Sequence, residues 1–164
     1  AVMFEDGSIR SARDFSETLE FFVPEGEYYI RLKHRNHLDV ISESSVMCST
    51  DSIAIFDFRS NWTDPSGLEF LKELSVEPPL YAMLQGDING DQKISYFGPD
   101  SDRLMILLRL GLENPSGVEK GYFPEDINFD GLVTYDGGWH DRLSLLFVVG
   151  FGTPGNVIYG QLHD

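Results

Sequence analysis

The chain has 164 residues, 41% of them apolar, enough to bury a core in one ordinary domain or two small ones. Twelve Lys and Arg against 27 Asp and Glu leave a formal net charge of −15, which opposes a nucleic-acid backbone or an anionic lipid surface and excludes a DNA or RNA binder. No apolar run approaches the ~18 residues of a membrane span, and the single cysteine, Cys48, excludes an internal disulfide scaffold or a cysteine-based zinc site.

Residues 1–80 read as β-structure, because short runs rich in aromatic and β-branched side chains are separated by turn chemistry. Residues 1–4 and 8–12 offer two short strands, and the apolar opening AVMF is the start expected of a fragment or a matured subunit. Residues 19–23, the turn Pro24-Glu25-Gly26-Glu27 and residues 28–33 predict a hairpin. Residues 37–42 (HLDVIS) and 52–58 (SIAIFDF) add two strands, the second apolar enough for both faces to be buried. Residues 62–67 read as loop, and Asn61-Trp62-Thr63 fits a glycosylation sequon that a turn explains as well. Residues 68–74 predict two turns of helix before Pro78-Pro79. Such a set is short of strands for an independent sheet and needs a partner layer.

Residues 81–164 differ in kind, because they contain an internal repeat. DINGDQKISYFGPDSDRLMILLRLG, residues 87–111, aligns without a gap with DINFDGLVTYDGGWHDRLSLLFVVG, residues 126–150, at an offset of 39. Identities include Asp87/Asp126, Asn89/Asn128, Asp91/Asp130, Tyr96/Tyr135, Asp102/Asp141, Arg103/Arg142 and Gly111/Gly150. The domain boundary is therefore placed at 80/81.

Each copy opens with Asp-x-Asn-x-Asp, the spacing at which side chains one, three and five of a tight loop present oxygens to one ion. Calcium, with six to eight oxygen ligands, suits such a set better than magnesium, and zinc would want His or Cys at matching positions. Loop one supplies Asp87, Asn89, Asp91 and the carbonyl of Lys93; loop two supplies Asp126, Asn128, Asp130 and the carbonyl of Leu132. Position twelve holds Gly98 or Gly137 where a simple EF-hand has an acid, so the shared acids at position sixteen, Asp102 and Asp141, are expected to close the loops after a four-residue outward bulge. Each also stands at a helix N-terminus, where negative charge is favoured. Leu104, Leu107, Leu108 and Gly111, with Leu143, Leu146, Phe147 and Gly150, give helical spacing and a glycine stop.

Ile94 and Val133, at position eight, are expected in the core, with the two loops exchanging a short β-contact there. Loop two has Gly131 where loop one has Gln92; if that position takes positive φ, a non-Gly residue costs roughly 1–2 kcal/mol, so loop two is expected to bind the more tightly. His34-Arg35-Asn36-His37 reads as a structural hairpin rather than a metal or phosphate site, and His140, opposite Ser101, as a loop-surface residue. No nucleophile-elbow, zincin, P-loop or dinucleotide pattern occurs, so an enzyme is not expected.

At GDINGDQKISYFGPDSDR and EDINFDGLVTYDGGWHDR the chain resembles the dockerin type I-like calcium-binding repeats. The match is to the extended form near the C-termini of secreted and surface proteins of Bacteroidota, with the pattern GDxNxDGxxxYxGxxxDR before an aliphatic helix. YYIRLKHRNHL, residues 28–38, resembles the strand-turn signature that precedes those repeats. The resemblance implies a mixed fold: an N-terminal all-β, immunoglobulin-like and incomplete sandwich followed by a small α-helical module of two calcium loop-helix repeats. It also implies an extracellular or cell-surface, non-catalytic structural or adhesive role within a larger polypeptide or polymer, with two Ca2+ ions. The alternatives are a docking module recruiting a cohesin-like protein partner, on a face the insertion alters, and a surface-filament subunit completed by a strand from a neighbouring subunit.

Overall fold

A computed structural model describes residues 1–3, 8–59 and 71–161. The sequon at Asn61, the loop over 62–67 and the start of the helix expected from residue 68 lie outside the described residues. The elements in order are β1 (Val2–Met3), β2 (Ile9–Arg10), β3 (Gly26–Tyr28), β4 (Arg31–Leu32), β5 (Val40–Ile41), β6 (Val46–Cys48), β7 (Leu71–Val76) and β8 (Pro79–Met83). They continue with β9 (Lys93–Ser95), α1 (Asp102–Leu110), β10 (Val118–Lys120), β11 (Leu132–Thr134), α2 (Asp141–Val149) and β12 (Val157–Tyr159). No described helix is long and apolar enough to cross a membrane.

The fold is mainly β, and its strands pair antiparallel two by two: β1 with β2, β3 with β6, β4 with β5, β7 with β8, β9 with β12 and β10 with β11. The larger sheets of a sandwich are not formed by these strands. Several sequence expectations give way here. Residues 19–23 are irregular, and the turn residue Gly26 begins β3, whose partner is β6, Gly26 opposite Cys48. Residues 52–57 form no strand, and Ile53 and Ile55 are 73% and 86% exposed instead of buried. Residues 71–74, expected to be helical, lie in β7, whose register with β8 shifts between Glu73 and Ser75. Apolar alternation selects extended chain but not its partner, and each of these pairs contributes only a few ladder bonds.

Two compact units emerge: Ala1–Ile30 with Ser44–Phe56, and Arg31–Glu43 with Asp57–Asp164. Residues 31–43 and 71–80, read from sequence as part of the β-domain, thus belong with the repeats. In the first unit, among the described residues, Val46 is the buried apolar residue, while Phe21 and Phe22 are exposed. The second holds the main core, in which Leu38, Ile94, Ile106, Ile127, Val133 and Leu145 are wholly buried.

Both helices begin at the shared acid and stop at the expected glycine, Gly111 at φ 90° and Gly150 at φ 101°, a region glycine enters without steric penalty. Their buried stripe is Asp102, Ile106 and Leu110 in α1 and Asp141, Leu145 and Val149 in α2. The leucines identical between copies, Leu104/Leu143 and Leu107/Leu146, are only half-buried, and the aligned pair Leu108 and Phe147 is 49% and 53% exposed. Helical i, i+4 geometry puts the closing acid and the core residues on one face.

Ile94 and Val133 do reach the core, yet β9 and β11 do not pair with each other. The strand after α1, β10, pairs with β11 of loop two, and the strand after α2, β12, pairs with β9 of loop one. Gly121 N donates to Gly131 O at 3.0 Å and Gly160 N to Gln92 O at 2.9 Å, the same bond in both copies. The repeat therefore continues past Gly150 through Pro115/Pro154, Val118/Val157 and Gly121/Gly160, and the tail of each copy covers the loop of the other.

Candidate metal centre

Each loop turns through two positive-φ residues: Gly90 at 74° and Gln92 at 63° in loop one, Phe129 at 62° and Gly131 at 82° in loop two. Each thus carries one glycine and one strained side chain, in opposite order. The expectation that Gly131 makes loop two the easier to form rested on one position of the two, and Phe129 offsets it.

The first acid of each loop is buried, Asp87 at 1% and Asp126 at 2% exposure. Asp91 N and Gln92 N donate to Asp87 Oδ1 and Oδ2, both at 3.1 Å, and Gly131 N donates to Asp126 Oδ2 at 3.2 Å. Asp126 Oδ1 is buried and has no hydrogen-bond partner among the described residues. Asn89 Oδ1 accepts from Asp91 N at 3.0 Å and Asn128 Oδ1 from Asp130 N at 3.1 Å. Their amide groups reach across the bulge, Asn89 Nδ2 to Asp100 O at 3.0 Å and Asn128 Nδ2 to Trp139 O at 2.8 Å, so position three clips the insertion shut. Asp91 and Asp130 are exposed, and their Oδ1 atoms accept from Lys93 N and Leu132 N at the start of β9 and β11.

Asp102 and Asp141, the expected closing acids, face inward at 1% and 0% exposure. Asp102 Oδ1 accepts from Ile88 N and Oδ2 from Ser95 N, both at 2.8 Å. Asp141 Oδ1 accepts from Ile127 N at 2.7 Å and Asn128 N at 3.3 Å, and Oδ2 accepts from Thr134 N at 2.8 Å. Each carboxylate thereby ties loop, strand and helix together before any ion is considered. An ionised carboxylate offers about four acceptor sites, which leaves capacity on both acids and more on Asp102.

Burial pushes the Asp102 carboxyl up to about 7, and the charges of Asp87 and Asp91 add to that rise against the bonds from Ser95 and Ile88. Asp87 and Asp141 are also raised, first by burial and then by Asp91 and Asp126 respectively. Paired buried carboxylates of this kind are unfavourable unless a proton or a cation accompanies them. Among the described residues no three His, Cys, Asp or Glu side chains gather into one cluster. Each loop brings two buried acids, and its other expected donors are an Asn side chain, a carbonyl and an exposed Asp. This all-oxygen chemistry, with the orphan Asp126 Oδ1, is compatible with a hard cation and with none of the soft ones.

Sequence reasoning read the tip of the β4–β5 hairpin as a structural turn and missed its ties to the two loops. Asn36 is wholly buried: its O accepts from Gly86 N at 2.7 Å, and its Nδ2 donates to Pro124 O and Asp126 O, both at 3.0 Å. One residue thus holds the entrances of both loops, its backbone carbonyl at loop one and its side-chain amide at loop two. Gly86, at φ 128°, leaves no room for a Cβ, which would meet Ile94 Cγ2 at 2.8 Å. Gln92 Oε1 accepts from Asp39 N at 3.2 Å, so loop one is tied to the residue before β5. His34 and His37 do form the expected structural turn, their Nδ1 atoms 2.8 Å apart and both rings near Phe129. His140 is a buried helix cap, accepting from Leu143 N at 3.0 Å, and not the surface residue expected; burial and Arg142 lower its pKa. The offset of 39 would have revealed β10 and β12, whereas nothing in the sequence ties Asn36 to residues 88 and 90 positions downstream.

Comparison with protein-family models, with curated proteins and with solved structures yields no match for this chain.

Proposed function

We propose that the chain is a non-catalytic structural or adhesive module that binds two calcium ions and works outside the cell or on its surface. The observation that carries the reading is the pair of buried carboxylates repeated in each loop, Asp87 with Asp102 and Asp126 with Asp141. Asp87, Asn89, Asp91, the Lys93 carbonyl and Asp102 would hold one ion; Asp126, Asn128, Asp130, the Leu132 carbonyl and Asp141 the other. A bound ion supplies the positive charge that the buried acids lack. The chain's own part is to hold those acids in place: α1 and α2 carry Asp102 and Asp141, whose orientation is set by the backbone N–H groups of Ile88, Ser95, Ile127 and Thr134, while Asp91 N, Gln92 N and Gly131 N hold Asp87 and Asp126.

The physical output is stability. An ion that binds the folded loops and not the unfolded chain adds about 2.7 kcal/mol per site at a hundredfold excess over Kd. Millimolar extracellular calcium fills weak oxygen sites that cytosolic levels leave empty, which supports an extracellular setting. Isothermal titration with calcium tests the reading: two bound equivalents are expected, and one fewer in Asp87→Asn or Asp126→Asn. No heat at millimolar calcium defeats it.

A second reading, in which the module is a docking or filament subunit, draws on the first compact unit. There Phe22 is fully exposed, Phe21 is 65% exposed, and Ile53 and Ile55 are bare on a segment with no strand partner among the described residues. Apolar extended chain of this kind can accept a strand from a neighbour or from a cohesin-like partner. Sedimentation that depends on protein concentration favours the filament; a monomer at all concentrations removes it.

A further inference from the structure

Loop two has a resident cation that, among the described residues, loop one lacks. The Arg35 guanidinium, at the tip of the β4–β5 hairpin, stands with Nη2 3.5 Å from Asp126 Oδ2, and both side chains are buried, 11% and 3% exposed. Its plane is held by Tyr122, whose ring centre lies 3.6 Å from Cζ, with Phe129 at 5.1 Å. Asn36, the next residue, clamps the tip to Pro124 O and Asp126 O. The corresponding oxygen in loop one, Asp87 Oδ2, receives only neutral donors, Gln92 N at 3.1 Å and Gln92 Nε2 at 3.3 Å. Arg35 Nε and Nη1 are buried and find no hydrogen-bond partner among the described residues, so the Asp126 carboxylate is the charge the guanidinium is placed to meet.

We propose that Arg35 is a tethered counter-ion for loop two: it competes with calcium for the Asp126 carboxylate, so loop one is the high-affinity site and loop two fills second. This rests on the calcium reading above and reverses the ranking expected from Gly131. A unit positive charge about 5 Å from a divalent ion opposes it by more than tenfold in affinity even at the dielectric constant of water, and by more in a partly buried site. The guanidinium cannot relieve the conflict by deprotonating. Entry of an ion into loop two must therefore push the guanidinium back against Tyr122 or displace the hairpin tip, and through Asn36 that strain reaches Gly86 at the entrance of loop one.

Calcium titration of the full chain, with Asp87→Asn and Asp126→Asn used to assign the steps, tests this directly. The wild type is expected to show two steps at least tenfold apart, the weaker one abolished by Asp126→Asn. Arg35→Met, which keeps much of the stem but removes the charge, is expected to tighten the weaker step at least tenfold and leave the stronger within twofold; Arg35→Lys retains the wild-type gap. An unchanged or weakened second step in Arg35→Met, or abolition of the weaker step by Asp87→Asn, overturns the proposal while leaving two calcium sites in place. Absence of both steps from the wild type overturns the calcium reading itself. Should Arg35→Met not fold, the Arg35 Nε–H resonance of the wild type decides. Movement with the second equivalent of calcium supports competition at loop two, and movement complete at the first equivalent overturns it.

Discussion

Loops one and two share their donors at every position yet differ in what surrounds the first acid. Asp87 meets a neutral amide from its own loop, whereas Asp126 meets a guanidinium delivered from a hairpin some ninety positions earlier in the chain. The backbone cost is shared evenly, Gln92 in one loop and Phe129 in the other taking the left-handed turn. A repeated motif fixes the chemistry on offer, while non-repeated neighbours fix how much of it is free. Loop one without an ion is an excess of buried negative charge; loop two is partly neutralised in advance.

Removing the closing acids should expose that contrast most strongly. Asp141→Ala strands the N–H groups of Ile127, Asn128 and Thr134, at about 1–3 kcal/mol each, so a loss of about 3–6 kcal/mol is expected in chelator. Asp102→Ala strands those of Ile88 and Ser95 but also removes a buried charge that has no cation beside it. Its cost at pH 8 in chelator should be smaller, about 1–3 kcal/mol by denaturant unfolding. Equal losses would mean that Arg35 does nothing for the ion-free second loop.

A pH series sharpens the comparison. The Asp102 carboxyl is raised from 3.8 to about 7 in the folded chain, chiefly by burial, so the folded state holds a proton that the unfolded state releases. Stability from this group is therefore full below about pH 4 and falls as pH rises towards 7, by of the order of 3 kcal/mol in chelator. Asp102→Asn should flatten that slope, as read from unfolding midpoints between pH 4 and 8. Calcium should flatten it too, because an ion replaces the proton. Chelation at pH 7.5 is the next effect in size, about 2.7 kcal/mol for each site held at a hundredfold excess, or roughly 5–10 °C in Tm. Asp102→Ala and Asp141→Ala should each lose their own loop's share.

The loops and helices were legible because their information is local: Asp-x-Asn-x-Asp, the late Asp-Arg-Leu and the glycine stops all lie within one copy, and a second copy confirms the register. Even there, identity misled on burial, since Leu104 and Leu107 recur while Ile106 and Leu145 fill the core. The strands were less legible. β3 finds its partner eighteen or more residues away in β6, across a segment that belongs to the other compact unit, and residues 52–57 alternate like a strand without forming one. Alternation reports which residues tolerate extension, not what they pair with. Arg35 and Asn36 were invisible for the same reason: their turn chemistry is local, but their partners are in the second loop.

The smallest effect tests whether the left-handed side chain of loop one is a defect. Sequence logic says that Gln92→Gly should help, since glycine takes φ 63° without the roughly 1–2 kcal/mol that an L side chain costs there. The side chain, however, accepts from Asp39 N at 3.2 Å and donates to Asp87 Oδ2 at 3.3 Å, and each bond contributes about 0.5–1.5 kcal/mol. Glycine also frees the unfolded chain, at about 0.5–1 kcal/mol. The terms nearly cancel, so a net loss of about 1 kcal/mol or less is expected, with the calcium affinity of loop one little changed. A gain above 1 kcal/mol would show that the tie to Asp39 contributes nothing and that the left-handed Gln92 is a net cost to loop one. A loss above 2 kcal/mol would make that tie the main brace between loop one and the strand β5 that follows the Arg35 turn.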